Sequence, residues 1–135
     1  MPVYGSLKLK ALADGRQWEL LERIAWSGTY KGEGCVIVVP AGFVTNLASV
    51  PRIFWRIAAP ATGKHKRAAV FHDWLYGGGV MIYKDVLYYL SDTEQHIADG
   101  IFYTIMREDG VPSWRAWLMR TALKIGGHAA WMRRS

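Results

Sequence analysis

The chain has 135 residues, of which 51% are hydrophobic, so it can form one domain with a buried core and is not a disordered chain. Its formal net charge is +6, from 17 basic and 11 acidic residues, which fits either a solvated basic surface or binding to an anionic partner. The single cysteine, Cys35, excludes an intrachain disulfide and a zinc finger, and no apolar run approaches the roughly 20 residues of a membrane helix.

Residues 1–45 have the pattern of short strands joined by turns. Partly alternating segments at residues 18–22 and 24–26 precede a continuous apolar run, mostly β-branched, at residues 35–39. A run of this kind predicts a strand that is buried on both faces. Because turn residues separate the segments, we expect about four or five short strands in an antiparallel sheet or a curled half-barrel.

Residues 46–127 are predicted to be mainly helical. Ser49 has the chemistry of a helix N-cap and would begin a short helix around residues 53–57. Helical spacing predicts a second helix over residues 64–76, which a run of three glycines ends. The aromatic stretch at residues 80–90 fits a loop flap, a short helix or an edge strand.

Two further helices are predicted towards the C-terminal end. Ser91 and Glu94 form a capping-box pattern that predicts the start of a third helix, and Gly110 predicts its end. Ser113 is suited to cap a last helix. The predicted apolar stripes of these two helices are Ile97, Ala98, Ile101, Phe102 and Ile105 in the third, and Trp114, Trp117, Leu118, Thr121, Ala122 and Ile125 in the last.

These patterns together predict an α+β fold, in which an N-terminal antiparallel β-sheet packs against three or four α-helices. The chain is predicted to be a single domain over residues 1–135. Strands dominate residues 1–45, helices dominate residues 46–127, and residues 128–135 form a basic tail.

His72 and Asp73 form the first candidate site for chemistry. Both are metal-ligand types, and histidine transfers protons near neutral pH. Neighbouring helical residues point about 100° apart, so both can reach one ion only if it lies between their directions. Asp99 lies beside the apolar stripe of the third helix, where a carboxylate needs a partner such as His72, Arg52 or a metal ion. We therefore predict His72, Asp73 and Asp99 as a catalytic or divalent-metal site, and a hydrogen-bonded structural brace is the alternative.

A second group of candidates lies in the polar loop that follows the strands. Thr45, Asn46 and Ser49 are small polar residues that allow a tight backbone path with free N–H groups, as in an anion-binding nest. Arg52 can hold a carboxylate or phosphate with two hydrogen bonds. These four residues are predicted to bind a ligand. The alternative is a structural turn in which Ser49 is a cap and Arg52 pairs with an acid.

Three sequence motifs resemble those of a family of small phage and prophage proteins of unknown function. The motifs are VPAGFVTNLASVPR at residues 39–52, FHDWLY at residues 71–76 and ADGIF at residues 98–102. The resemblance covers most of the chain and implies a phage or prophage origin, but it implies no reaction. Asn46 stands where the family pattern has Asp, so a divalent ion held through that carboxylate would bind this chain more weakly.

Two functions are consistent with these residues. The first is a phage accessory or virion-associated protein that binds a phage structural protein or a host protein. The second is a small hydrolase in which His72, Asp73 and Asp99 hold a water or a divalent metal and Arg52 orients an anionic or cell-wall substrate. Nucleic acid remains a candidate partner, although no nucleic-acid-binding module is recognisable. We expect the protein in the host cytoplasm after synthesis, with the virion as a further location.

Overall fold

The computed structural model describes residues 3–4, 7–13, 17–45, 66–90 and 94–126. It confirms the α+β class, with antiparallel sheets built mostly from N-terminal strands and with three helices in the described ranges. The strands are β1 (Val3–Tyr4), β2 (Leu9–Ala11), β3 (Trp18–Leu20), β4 (Ile24–Tyr30), β5 (Glu33–Val39), β6 (Val44–Thr45), β7 (Met81–Tyr83) and β8 (Val86–Tyr88). The helices are α1 (Lys66–Tyr76), α2 (Gln95–Glu108) and α3 (Ser113–Gly126).

The strands form two antiparallel sheets. The larger has the order β1-β4-β5-β7-β8, and the smaller has the order β2-β3-β6. The β7–β8 hairpin resolves the ambiguous stretch at residues 80–90, because β7 pairs with β5 and β8 forms an edge of the larger sheet. The segment predicted to be mainly helical therefore contributes two strands to a sheet that the N-terminal residues begin.

The inner face of the larger sheet packs against the helices. Trp26 of β4 and Ile37 of β5 are fully buried, and they belong to one apolar cluster with residues of all three helices. Helix α1 contacts β5, α2 packs against α1, and α3 packs against α2. In β5, alternation along the strand places Cys35, Ile37 and Val39 in this layer.

The prediction that residues 35–39 are buried on both faces is wrong for the single chain. Cys35, Ile37 and Val39 are buried, but Val36 is only partly buried and Val38 is 42% exposed. The helices cover one side of the sheet, so the alternate residues of the same strand face outwards.

The ends of helices α1 and α2 use the glycines that the sequence indicated. Gly78 has φ +86° and Gly110 has φ +95°, a left-handed conformation that favours glycine. After α1, the amides of Gly78 and Gly79 donate to the carbonyls of Leu75 and Trp74, at 3.2 and 2.8 Å. This is a Schellman motif, which satisfies carbonyls at the helix end.

Two predictions about the later helices need correction. Helix α2 begins at Gln95 with Glu94 at its N-cap and no side-chain capping bond, so the predicted capping box does not start it, and Ser91 lies outside the described residues. In α3, Trp114 and Trp117 are exposed, whereas Ala116 and Met119 are buried. The predicted stripe is therefore wrong for these two tryptophans, whereas Leu118 of the same stripe packs against the core. The side chains of Ala122 and Ile125 lie outside the described part.

The short helix at residues 53–57 and the tail at residues 128–135 lie outside the described ranges. The predicted stripe of α2 is buried as expected. No described helix combines the length and apolar character needed to cross a membrane.

Candidate functional site

Helices α1 and α2 bring His72 and Asp99 together in the core. His72 Nε2 lies 2.8 Å from Asp99 Oδ1, and both residues are only 2% exposed. The expected partners of the Asp99 carboxylate were His72, Arg52 or a metal ion, and the structure pairs it with His72. The bond ties the two helices together.

Tyr76 and Gln95, which are partly buried, extend this pair into a polar network. The Tyr76 hydroxyl donates to Asp99 Oδ1 at 2.9 Å, and Gln95 Nε2 donates to the Tyr76 hydroxyl at 2.8 Å. The Tyr76 and His72 rings lie against each other with centroids 4.0 Å apart. Burial, followed by the charge of Asp99 and the hydrogen bond to it, raises the pKa of Tyr76, while the bond from Gln95 lowers it. Tyr76 therefore remains a neutral donor in this network.

The hydrogen bonds constrain the protonation of the histidine ring. An ionised carboxylate only accepts hydrogen bonds, so His72 donates through Nε2–H to Asp99. The second ring nitrogen, Nδ1, is buried and has no hydrogen-bond partner among the described residues. A histidine oriented by a carboxylate on one nitrogen, with the other nitrogen unpaired, has the arrangement of a general base.

Asp73 belongs to a different contact from its neighbour. Its Oδ2 accepts a hydrogen bond from Thr45 Oγ1, which joins α1 to the end of β6. Thr45 is 2% exposed, so this contact is largely shielded from water. The angle of about 100° between consecutive helical side chains explains why His72 and Asp73 turn to different elements.

The predicted site residues are therefore only partly brought together. His72 meets Asp99 and Thr45 meets Asp73. Within the described ranges, no group of three or more His, Cys, Asp or Glu side chains is placed to hold a metal ion. Asn46, Ser49 and Arg52 lie outside the described residues, and their role in ligand binding stays a prediction.

Tyr76 and Gln95 were not assigned a role from the sequence. The signal was present, because Tyr76 follows His72 by four residues and Asp99 follows Gln95 by four residues. Residues four apart share a helix face. Each helix therefore supplies two polar residues to the same polar network.

The outer face of the larger sheet is a second candidate surface. Val36 pairs with Ile82, and Ile82 pairs with Leu87, so these side chains form a row across β5, β7 and β8. Val38 lies two residues further along β5 and therefore on the same face. We call these four residues the outer apolar row. Ile82 is 40% exposed and Leu87 is 74% exposed.

Comparison with known proteins places the chain in a family. Residues 18–123 match the family described as "Protein of unknown function (DUF1353)", and the chain belongs to this family. It is also similar to the "Uncharacterized protein y4jT" of Sinorhizobium fredii (strain NBRC 101917 / NGR234), with 32% identity over 93 residues. That match covers 66% of this chain and 23% of the relative, so the chain corresponds to only part of that protein. No solved structure matches the chain.

Proposed function

We propose that this protein is a phage or prophage accessory protein that binds a protein partner through the outer apolar row. One observation carries the binding proposal. The run at residues 35–39 has the sequence of a strand buried on both faces, but Val38 on its outer face is 42% exposed. The phage or prophage origin is supported by the motif resemblance.

The composition of the row supports a docking role. An antiparallel sheet with one face in water normally alternates apolar and polar side chains. Here the outer positions of three neighbouring strands are valine, isoleucine and leucine. Contiguous exposed apolar side chains on a soluble protein mark interaction sites. A partner covering this face would bury both sides of β5, as the sequence predicts.

The chemistry of the row favours a protein over nucleic acid. Binding to a phosphate backbone relies on lysine and arginine contacts, whereas Val36, Val38, Ile82 and Leu87 carry no charge. Apolar side chains at the centre of an interface are typical of protein partners. The proposed partner is a phage structural protein or a host protein with a complementary apolar patch.

Charge-introducing variants test the binding proposal. The Ile82→Lys/Leu87→Lys variant should fold, because both side chains face solvent in the single chain, and it should lose its partner in quantitative affinity capture from the native host. Leu21→Lys/Val44→Lys is the matched control, since both residues are exposed apolar side chains on the smaller-sheet side. The partner should remain bound to this control. Equal recovery of the same partner by both double variants would overturn the assignment of the row.

A small hydrolase is the second candidate function, and it is favoured by the buried Nδ1 of His72, which no group in the described part of the chain engages in a hydrogen bond. In this proposal His72, oriented by Asp99, moves a proton to or from an attacking water. A divalent metal, if one takes part, has Asp73 among its candidate ligands. The test measures metal binding and turnover of anionic and cell-wall substrates by the wild-type protein and by folded His72→Gln. Turnover lost in this variant supports the hydrolase, and undiminished turnover rejects it.

A further inference from the structure

A cavity of about 300 Å³ lies at one end of the larger sheet, on its helix-facing side. The side chains of Tyr30, Tyr83 and Tyr88 line it, and Lys31 and Lys84 stand beside them. This volume is at the lower end of the range for small-molecule sites, which begins at about 300 Å³. The cavity is separate from the His72 network and from the outer apolar row.

Two similar hairpin turns build the cavity. The turn between β4 and β5 follows Tyr30 with Lys31, and the turn between β7 and β8 follows Tyr83 with Lys84. Since β5 pairs with β7, the two turns lie side by side, and the Lys84 amide donates to the Gly34 carbonyl at 3.2 Å. The repeated Tyr-Lys pair is the sequence signal for this site.

Both lysines occupy left-handed backbone positions. Lys31 has φ +50° and Lys84 has φ +53°. Two-residue hairpin turns of this type require positive φ and usually contain asparagine, aspartate or glycine. A lysine there is less favourable than those residues, so the local turn geometry gives no reason for its presence at both positions.

The two ammonium groups are held near the tyrosine rings. Lys31 Nζ lies 5.6 Å from the centroid of Tyr30, and Lys84 Nζ lies 5.5 Å from the centroid of Tyr83. Cation–π contacts of this kind are worth about 0.5–1 kcal/mol at exposed sites. Neither ammonium pairs with a carboxylate of the described chain, so both charges are available to a ligand.

A carboxylate also lines the cavity. Glu94, at the start of α2, lines the cavity and accepts a hydrogen bond from the Tyr88 hydroxyl. An ionised carboxylate is an acceptor of hydrogen bonds, so its chemistry complements that of ligand hydroxyls. Tyr30 is fixed behind the cavity by close packing on Gly100, where a Cβ would lie 2.5 Å from its ring.

We propose that this cavity binds a small monosaccharide that carries one anionic group, either a phosphate or a carboxylate. The anionic group lies between Lys31 and Lys84, since charge-assisted hydrogen bonds from two ammonium groups favour it. The sugar ring packs against the tyrosine rings, and its hydroxyls donate to Glu94. The ligand therefore needs both an anion and a hydroxyl-bearing ring.

Calorimetric titration tests this proposal with four probes: glucose 6-phosphate, glucuronate, glucose and inorganic phosphate. We expect saturable binding of at least one of the two anionic sugars, and weaker binding of glucose and of inorganic phosphate. If only one anionic sugar binds, it identifies which anionic group the lysines accept. Absence of saturable binding by both anionic sugars overturns the proposal, as does binding of glucose as tight as theirs.

A matched pair of variants locates the binding. Lys31→Asn/Lys84→Asn removes both charges and keeps a residue that tolerates positive φ. It should weaken binding by roughly tenfold or more, as expected for hydrogen bonds to charged groups. Lys8→Asn/Lys10→Asn makes the same change in net charge at exposed positions outside the cavity, and it should bind like the wild type. Equal affinities for the two double variants would overturn the assignment to this cavity.

Discussion

The two faces of the larger sheet carry similar side chains in different surroundings. On the inner face, Trp26 and Ile37 are fully buried beneath the helices. On the outer face, Val38 and Leu87 are equally apolar but are 42% and 74% exposed. The apolar pattern of β5 is typical of a strand buried on both faces, whereas the single chain fully buries only the inner face. In the proposed function, a partner covers the outer face.

The largest effect is expected in the polar network behind the inner face. His72→Ala leaves the buried Asp99 carboxylate without one of its two described donors. Leaving a buried ionised acceptor without one of its hydrogen bonds costs about 3 kcal/mol, so we expect a loss of this order in the free energy of unfolding. Chemical denaturation measures it. A loss below about 1 kcal/mol, as for a typical exposed pair, would contradict the burial of this pair.

Neighbouring residues of β5 give the direct comparison between the faces. Ile37→Ala should lower the free energy of unfolding by about 2–5 kcal/mol, because it leaves a cavity in the core. Val38→Ala should change it by no more than about 0.5 kcal/mol, as for other surface substitutions. The measurement is denaturant unfolding of both variants under the same conditions. Similar losses for the two variants would show that the faces are not distinct in the isolated protein.

The close packing of α2 on β4 predicts a smaller effect. In Gly100→Ala, the new Cβ would lie 2.5 Å from the Tyr30 ring, and overpacking of this kind costs about 1–3 kcal/mol. The gain in helix propensity, about 1 kcal/mol, offsets part of that loss, so a modest net destabilisation is expected.

Gly34→Ala is the control for Gly100→Ala, since an added Cβ would meet nothing within 4 Å there. Thermal unfolding of both variants distinguishes packing from a general effect of replacing glycine. A Gly100→Ala protein as stable as Gly34→Ala would contradict the close approach of Tyr30 to α2.

The buried thiol of Cys35, on the inner face of β5, predicts an effect on reactivity and a pH-dependent effect on stability. Burial raises the pKa of its thiol from 9.0 to about 11, and only the thiolate reacts with alkylating agents. The folded protein should therefore be alkylated much more slowly at pH 8 than the unfolded chain, with a rate that rises towards pH 11.

The same pKa shift sets the sign of the stability effect. A raised folded-state pKa contributes stability that is present below the unfolded value, 9.0, and is lost as the pH rises through about 11.

Iodoacetamide labelling followed by mass spectrometry measures the rates at which Cys35 is alkylated in the folded and unfolded protein. Equal labelling of the folded and unfolded protein at pH 8 would show that this position is open to solvent.

Sequence periodicity predicted the buried side of a helix correctly where the apolar residues lie on one side only. The stripe of α2 has a single apolar side, and its residues are buried as expected. The need of Asp99 for a partner followed from the cost of burying a charge, and His72 meets it. In α3, by contrast, apolar residues lie on two sides, and Trp114 and Trp117 are exposed. Local spacing does not tell which side another element covers.

Long-range pairing explains what else the sequence did not predict. The aromatic stretch at residues 80–90 becomes a hairpin because β7 pairs with β5, more than 40 residues earlier. The cavity beside Tyr30 and Tyr83 depends on the same pairing of β5 with β7. Neither tyrosine by itself therefore predicts a cavity from the sequence. The site residues Thr45 and Asp73 meet for a similar reason, since β6 ends beside α1.

Site-specific photo-crosslinking in the native host tests the central claim most directly. A benzoylphenylalanine residue at Leu87 or Val38 would lie within the proposed interface, and the same residue at Leu21 would lie outside it. Docking through the outer apolar row predicts one protein adduct shared by the first two positions and missing from the third. No adduct at Leu87 and Val38, or the same adduct at Leu21, would contradict the account.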